Sequence, residues 1–202
     1  MSLSLKYKID DKVELDGEIY EVNAMFDVLL RVIDLTNDES IHPNVRVAMG
    51  LVFLLGSEEE IDRHLDIHDE FEFLGKYSLE ERLEILKAIL NKYVDVGESK
   101  QLDRQGNPMP VVEHEESLQL MDFDHDADAI YSSFMQTYQI DLIEQQGKLH
   151  WFKFSALLNG LPEDTPIMNI ISIRGWNPQD DKKKYNQRMR EAQKKLALPR
   201  ET

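Results

Sequence analysis

Cysteine is absent from all 202 residues. Disulfides, thiolate nucleophiles and cysteine-bound zinc or iron–sulfur centres are therefore excluded, and the composition suits a reducing compartment. Long apolar runs are missing as well. The most apolar stretch, Val45 to Leu55, falls well short of the ~20 residues that a bilayer-spanning helix needs. It reads as a buried core helix, and no membrane association is expected. Met1 to Lys12 lacks an apolar segment of signal-peptide type. Gly50, Gly56 and Gly75 are isolated, so no glycine-rich phosphate loop is present, and no serine sits in a nucleophile-elbow context. Positive charge is scarce, with 23 Lys/Arg against 39 Asp/Glu and a net charge of -16. Such a surface repels phosphate backbones, so no nucleic-acid partner is expected.

What is present is a globular composition, 42% hydrophobic and 31% charged, with mostly helical patterning. Tyr7 to Asp10 and Lys12 to Leu15, the turn signal Asp16-Gly17, and Glu18 to Val22 predict a short β-hairpin. Asn23 is placed to cap a helix from about Ala24 to Leu35. Pro43 suits the first turn of a helix ending near Gly56. Ser57 with Glu60 and Ser78 with Glu81 both fit a capping box. After Ser78, Leu79, Leu83, Leu86 and Leu90 form one helical stripe, with Ile85, Ile89 and Tyr93 beside it and Glu80 and Glu84 facing solvent. From Val94 to Met121, glycines, prolines and charges replace the periodicity. Further helices are predicted from about Asp124 to Tyr138, from Lys148 to Asn159 with Gly160 as a C′ glycine, and from Thr165-Pro166 to Ile173. The predicted fold class is mainly α, a helical domain with a short N-terminal β-hairpin. Its expected organisation is a first helical half over 1–94, an acidic linker over 95–121, a second helical half over 122–177 and a basic helical tail over 178–202.

Chemistry-bearing constellations are sparse. Asp122-x-Asp124-x-Asp126 copies the start of a calcium loop, but Ala127 stands where the turn needs glycine and Ser133 where the bidentate glutamate belongs. Acids favouring the positive end of a helix dipole are the better reading. His64 and His68 lie one turn apart, but Leu65 replaces the glutamate of the metalloprotease pattern, and a third ligand would have to come from near His114. A metal-dependent enzyme is thus a minor alternative. No catalytic, cofactor-binding or metal-ligating residue is assigned, no cofactor is expected, and binding is favoured over catalysis.

Two segments could bind a partner. In His150 to Phe154, Trp151 and Phe154 share a helix face with Leu158, which suits either core packing or a partner groove. The tail segment after Trp176 is strongly basic. From Arg174 to Thr202 there are nine Lys/Arg and four Asp/Glu, a net of +5, and the remainder of the chain carries 14 and 35, a net of -21. Lys182, Lys183, Lys184, Arg188, Arg190, Lys194 and Lys195 surround a narrow stripe of Tyr185, Met189, Ala192 and Leu196. That stripe is too narrow to anchor about twenty residues to the tail's own domain, so self-association or partner binding is expected. The candidate partner-binding residues are Trp151, Phe154, Arg174, Trp176, Lys182, Lys183, Lys184, Tyr185, Arg188 and Met189.

Asp126-Ala127-Asp128-Ala129-Ile130-Tyr131-Ser132-Ser133-Phe134 leads to Tyr138-Gln139-Ile140-Asp141-Leu142. His150-Trp151-Phe152-Lys153-Phe154 follows, then Ala156-Leu157-Leu158-Asn159-Gly160-Leu161-Pro162, Ile171-Ser172-Ile173-Arg174 and a basic terminal helix. In this order the chain resembles the bacteriophage gene-product-fifteen family of long-tailed phages and prophages of Gram-positive bacteria. The likeness is clearest from Asp124 to Leu198 and extends more thinly to Ile19-Tyr20-Glu21-Val22-Asn23 and Phe26. The resemblance implies a tail assembly chaperone for the phage tape measure protein, with the major tail tube protein as a second possible partner. It also implies residence in the cytoplasm of the infected or lysogenic host, and it carries no catalytic motif. A homo-oligomer is expected, because a long tape needs many copies. The alternative is a structural or adaptor component of the tail.

Overall fold

A computed structural model describes residues 5–56, 75–94, 120–177 and 186–198. The Ser57–Glu60 cap, His64, His68, His114, the tail residues Lys182 to Tyr185 and nearly all of the predicted linker lie outside the described residues. Within them the fold is mainly α: seven helices follow one two-stranded antiparallel hairpin. The chain divides into two compact units, the first from 1–109 and 146–155, the second from 110–145 and 156–202.

In the first unit, β1 (Lys12–Leu15) pairs with β2 (Glu18–Glu21) in the register Lys12↔Glu21 to Leu15↔Glu18. Asp16 and Gly17 both have positive φ, 52° and 82°. These values are those of the type I′ turn that matches the twist of the strands. α1 (Phe26–Asn37) starts two residues later than predicted. The amides of Phe26 and Trp151 donate to Leu149 and Ala24 carbonyls, closing a bridge between Met25 and His150. This bridge holds 24–25 extended, and the Asn23 side chain accepts from the Met25 amide ahead of the helix.

α2 (Pro43–Leu55) begins at Pro43 as predicted, with the His42 ring accepting from the Asn44 amide. Val28, Leu29, Val32 and Leu35 of α1 and Val47, Ala48, Leu51 and Leu54 of α2 are buried where these helices pack. α3 (Leu79–Tyr93) opens on the predicted capping box: Ser78 and Glu81 each accept the other's backbone N–H. It packs on α2 at Gly50, where a Cβ would stand 3.3 Å from both Leu86 methyls. Only the later part of its leucine stripe is core. Leu86, Ile89, Leu90 and Tyr93 are buried, whereas Leu79 and Leu83 remain 39% and 37% exposed.

In the second unit, α4 (Ala127–Tyr138) presents Ile130, Ser133 and Phe134 inward. It ends at Gln139, whose φ of 55° supplies the left-handed cap. α5 (Trp151–Asn159) begins in the first unit and ends in the second. Gly160 is needed there for space, not for a left-handed φ. A Cβ would lie 3.2 Å from the Tyr138 hydroxyl, which donates to the Leu157 carbonyl.

α6 (Pro166–Arg174) packs on α4. Its Thr165 cap turns its hydroxyl back to the Pro162 carbonyl. Buried Ser133 instead accepts from the Ile167 amide while donating to Ala129, so a side chain of α4 satisfies the first turn of α6. α7 (Asn186–Leu196) packs on α6.

Candidate partner-binding surfaces

Trp151 and Phe154 belong to the core of the first unit. They are 8% and 1% exposed. Phe154 stacks on Phe26 at a 4.8 Å centroid distance, and the Trp151 indole N–H donates to the Tyr93 carbonyl at 2.9 Å. Of the two readings the sequence left open, core packing is the one the geometry supports. Neither ring offers a face to a partner.

Beside them lies a polar cluster that no local signal announces. His150 is buried, and its Nδ1 accepts from the Phe152 amide at 3.1 Å. That acceptance leaves the proton of the neutral ring on Nε2, which faces Asp11 Oδ1 at 3.0 Å. Tyr93 donates to the same oxygen. Burial, and then the charge of Asp11, push the Tyr93 phenol far above its usual range. Lys92 bridges the Asp10 and Lys12 carbonyls. The cluster ties the hairpin, α3 and the 146–155 segment together, so its evident work is structural.

Arg174, expected to reach a partner, is an interior group of the second unit. Its side chain is 6% exposed and that of its ion-pair partner Asp126 is 3% exposed. Nη1 and Nη2 bind both carboxylate oxygens, the second at 2.7 Å. Nη1 also donates to the Leu120 carbonyl at 3.0 Å, and Nε to the Leu196 carbonyl at 2.6 Å. Burial raises the Asp126 pKa, but bonds from Arg174 and from the Asp122 amide, with the guanidinium charge, outweigh it and hold the carboxyl below its ordinary value.

The alternating aspartates resolve accordingly. Asp122 Oδ1 accepts from the Asp124 and His125 amides, and the Asp122 amide donates to Asp126. They build the turn into α4, and Asp126 spends its charge on Arg174. Among the described residues, no three His, Cys, Asp or Glu side chains are grouped to hold a metal ion.

The tail helix is also anchored more firmly than its narrow stripe predicts. The Gln193 side-chain Nε2 donates to the Arg174 and Trp176 carbonyls at 3.2 and 2.7 Å, capping the end of α6. Met189, Ala192 and Leu196 are half-buried, as is Trp176. Polar bonds to backbone carbonyls supply what the apolar stripe lacks. Arg188, Arg190, Lys194 and Lys195 point to solvent.

The exposed apolar surface lies elsewhere. Leu79 and Leu83 occupy the first two turns of α3, amid exposed Glu80, Glu81 and Glu84. Ile19 stands out on the hairpin of the same unit, and Met135 and Ile143 on the second unit. In the sequence these two leucines are the first half of the Leu79, Leu83, Leu86 and Leu90 stripe, with nothing local to separate them from the buried half.

Among the described residues, no helix is long and apolar enough to cross a membrane. No curated protein and no solved structure matches the chain. The family model described as Bacteriophage Gp15 protein matches residues 6–198, nearly the full length. The chain therefore belongs to the bacteriophage Gp15 protein family.

Proposed function

We propose that this phage protein is a tail assembly chaperone that binds the tape measure protein in the cytoplasm of the infected or lysogenic host, and that it is not an enzyme. The observation that carries the reading is the Leu79–Leu83 row, exposed at the start of α3 and rimmed by Glu80, Glu81 and Glu84. A long helical protein with bare apolar stripes aggregates. Leucines at i and i+4 on an accessible helix can cover such a stripe, and the surrounding carboxylates keep the complex soluble. Covering what remains exposed of each leucine is worth about 1 kcal/mol at most. Binding per copy is then weak, many copies act together, and assembling tail tube subunits can displace them.

Co-expression with the neighbouring tape measure protein tests this. The tape measure protein should move to the soluble fraction with the native chain and return to the pellet with Leu79→Ser/Leu83→Ser. A tape measure protein that is equally insoluble with and without this chain refutes the reading. Mass spectrometry of purified particles addresses the alternative of a structural or adaptor component: a chaperone is absent or scarce, a tail part present in fixed copy number.

A further inference from the structure

The orientation of α7 is fixed by its buried side. Gln193 caps α6, the Leu196 carbonyl receives Arg174, and Met189, Ala192 and Leu196 are half-buried. The opposite side must therefore face outward, and all four of its described cations, Arg188, Arg190, Lys194 and Lys195, are exposed. Glu191, bonded to Gln187, is the sole acid of the helix. It stands three residues from Arg188 and four from Lys195, positions where it can offset their charge. Arg190 has no acid at i±3 or i±4 within the helix and faces Lys194 four residues on, while Lys194 must share the single carboxylate of Glu191, three residues before it, with Arg188 and Lys195. Like charges at that spacing repel and weaken a helix unless an anion covers them.

The chain itself is the richest source of that anion. Outside 174–202 it carries a net charge of -21. We propose that the outward face of α7, centred on Arg190 and Lys194, docks on the acidic surface of a second copy of this chain. Each copy can both give its α7 and receive one, so the contact either closes as a reciprocal pair or continues head to tail. Interactions between exposed charges fade beyond about 8 Å at physiological salt, so the contact must be close and must weaken as salt rises. A nucleic acid meets the same four cations but is repelled by the rest of the molecule. The inference does not depend on the tape measure reading and survives its failure.

Sedimentation of the full chain over a range of concentrations, at low and at 0.5 M-range salt (roughly a fourfold shorter screening length than at 0.03 M), gives the first readout. Assemblies larger than a monomer are expected at low salt and should dissociate at high salt. Arg190→Glu/Lys194→Glu should be monomeric under both conditions with unchanged far-UV helix signal, and Arg190→Gln/Lys194→Gln intermediate. Because the double-Glu variant keeps its acidic surface, excess variant should cap wild-type chains and reduce them to small species. A wild type that is monomeric throughout overturns the proposal, as does a variant that assembles normally or fails to cap. Binding to a DNA duplex without self-association overturns it in favour of a nucleic-acid arm.

Discussion

Arg174 and Asp126 lie 48 positions apart, and each read alone looks like a surface group. Asp126 belonged to a string of helix-leading acids and Arg174 to a basic tail. Burial reverses both readings, since a guanidinium with both bidentate and carbonyl bonds is a fixed interior joint. Arg174→Met should destabilise the second unit by about 3–5 kcal/mol, because it strands a buried carboxylate. Arg174→Met/Asp126→Leu should recover most of that loss. Urea unfolding of both variants measures the difference, and equal losses would mean that the pair contributes no more than packing. Asp126 also sets an acid limit. Its folded pKa lies below the ordinary carboxylate value, so its contribution is complete above that value and is lost as pH falls through the depressed one. The second unit should therefore hold until strongly acid pH, and Asp126→Asn should remove that part of the acid sensitivity. Local rules succeed only for short-range partners. The Asp16-Gly17 turn and the Ser78–Glu81 box were legible because both members sit within four residues, whereas His150–Asp11, 139 apart, was not.

At the scale of elements, the sequence located helices better than their ends or their buried faces. α1 lost two residues at its start because tertiary pairing with His150 competes for its first amides. α3 shows the limit on faces. Its stripe of four leucines is continuous in sequence, yet burial begins only at Leu86, where Gly50 of α2 admits it. Periodicity states which residues share a side and not how far a neighbour reaches along it. Two substitutions on this one helix should therefore diverge. Leu86→Ala should cost about 2–5 kcal/mol as a buried cavity, while Leu83→Ser should change stability little and act on partner binding alone. Ser78→Ala, which opens the capping box, should cost about 1 kcal/mol. Denaturant midpoints of the three variants give the order. A Leu83→Ser loss as large as that of Leu86→Ala would mean that the exposed row is core.

Across the whole molecule, the mainly helical class and the hairpin were legible from period and turn chemistry, and the family from the order of short segments. Chain order alone did not reveal that 146–155 groups with the N-terminal unit while the residues on either side group with the second. The aromatic run there was read with its sequence neighbours, although Trp151 and Phe154 serve Tyr93 and Phe26. The tail was likewise judged from its apolar stripe, without the carbonyl-directed bonds of Arg174 and Gln193 that fasten it.

Those bonds make a definite prediction for a chain ending at Trp176. Truncation removes the Leu196 carbonyl from Arg174 Nε and the Gln193 cap from the end of α6, and it uncovers the surface that Met189, Ala192 and Leu196 half-bury. A buried donor left without its acceptor costs about 1–3 kcal/mol, unless water reaches it through the opened surface. Hydrogen exchange should show faster exchange in α6 and then in α4, whose Ser133 holds the first turn of α6. Gln193→Ala in the full chain should produce a milder form confined to the end of α6. Unchanged exchange in α4 and α6 after truncation would show that the second unit folds without the tail, and that Arg174 is anchored by Asp126 and Leu120 alone.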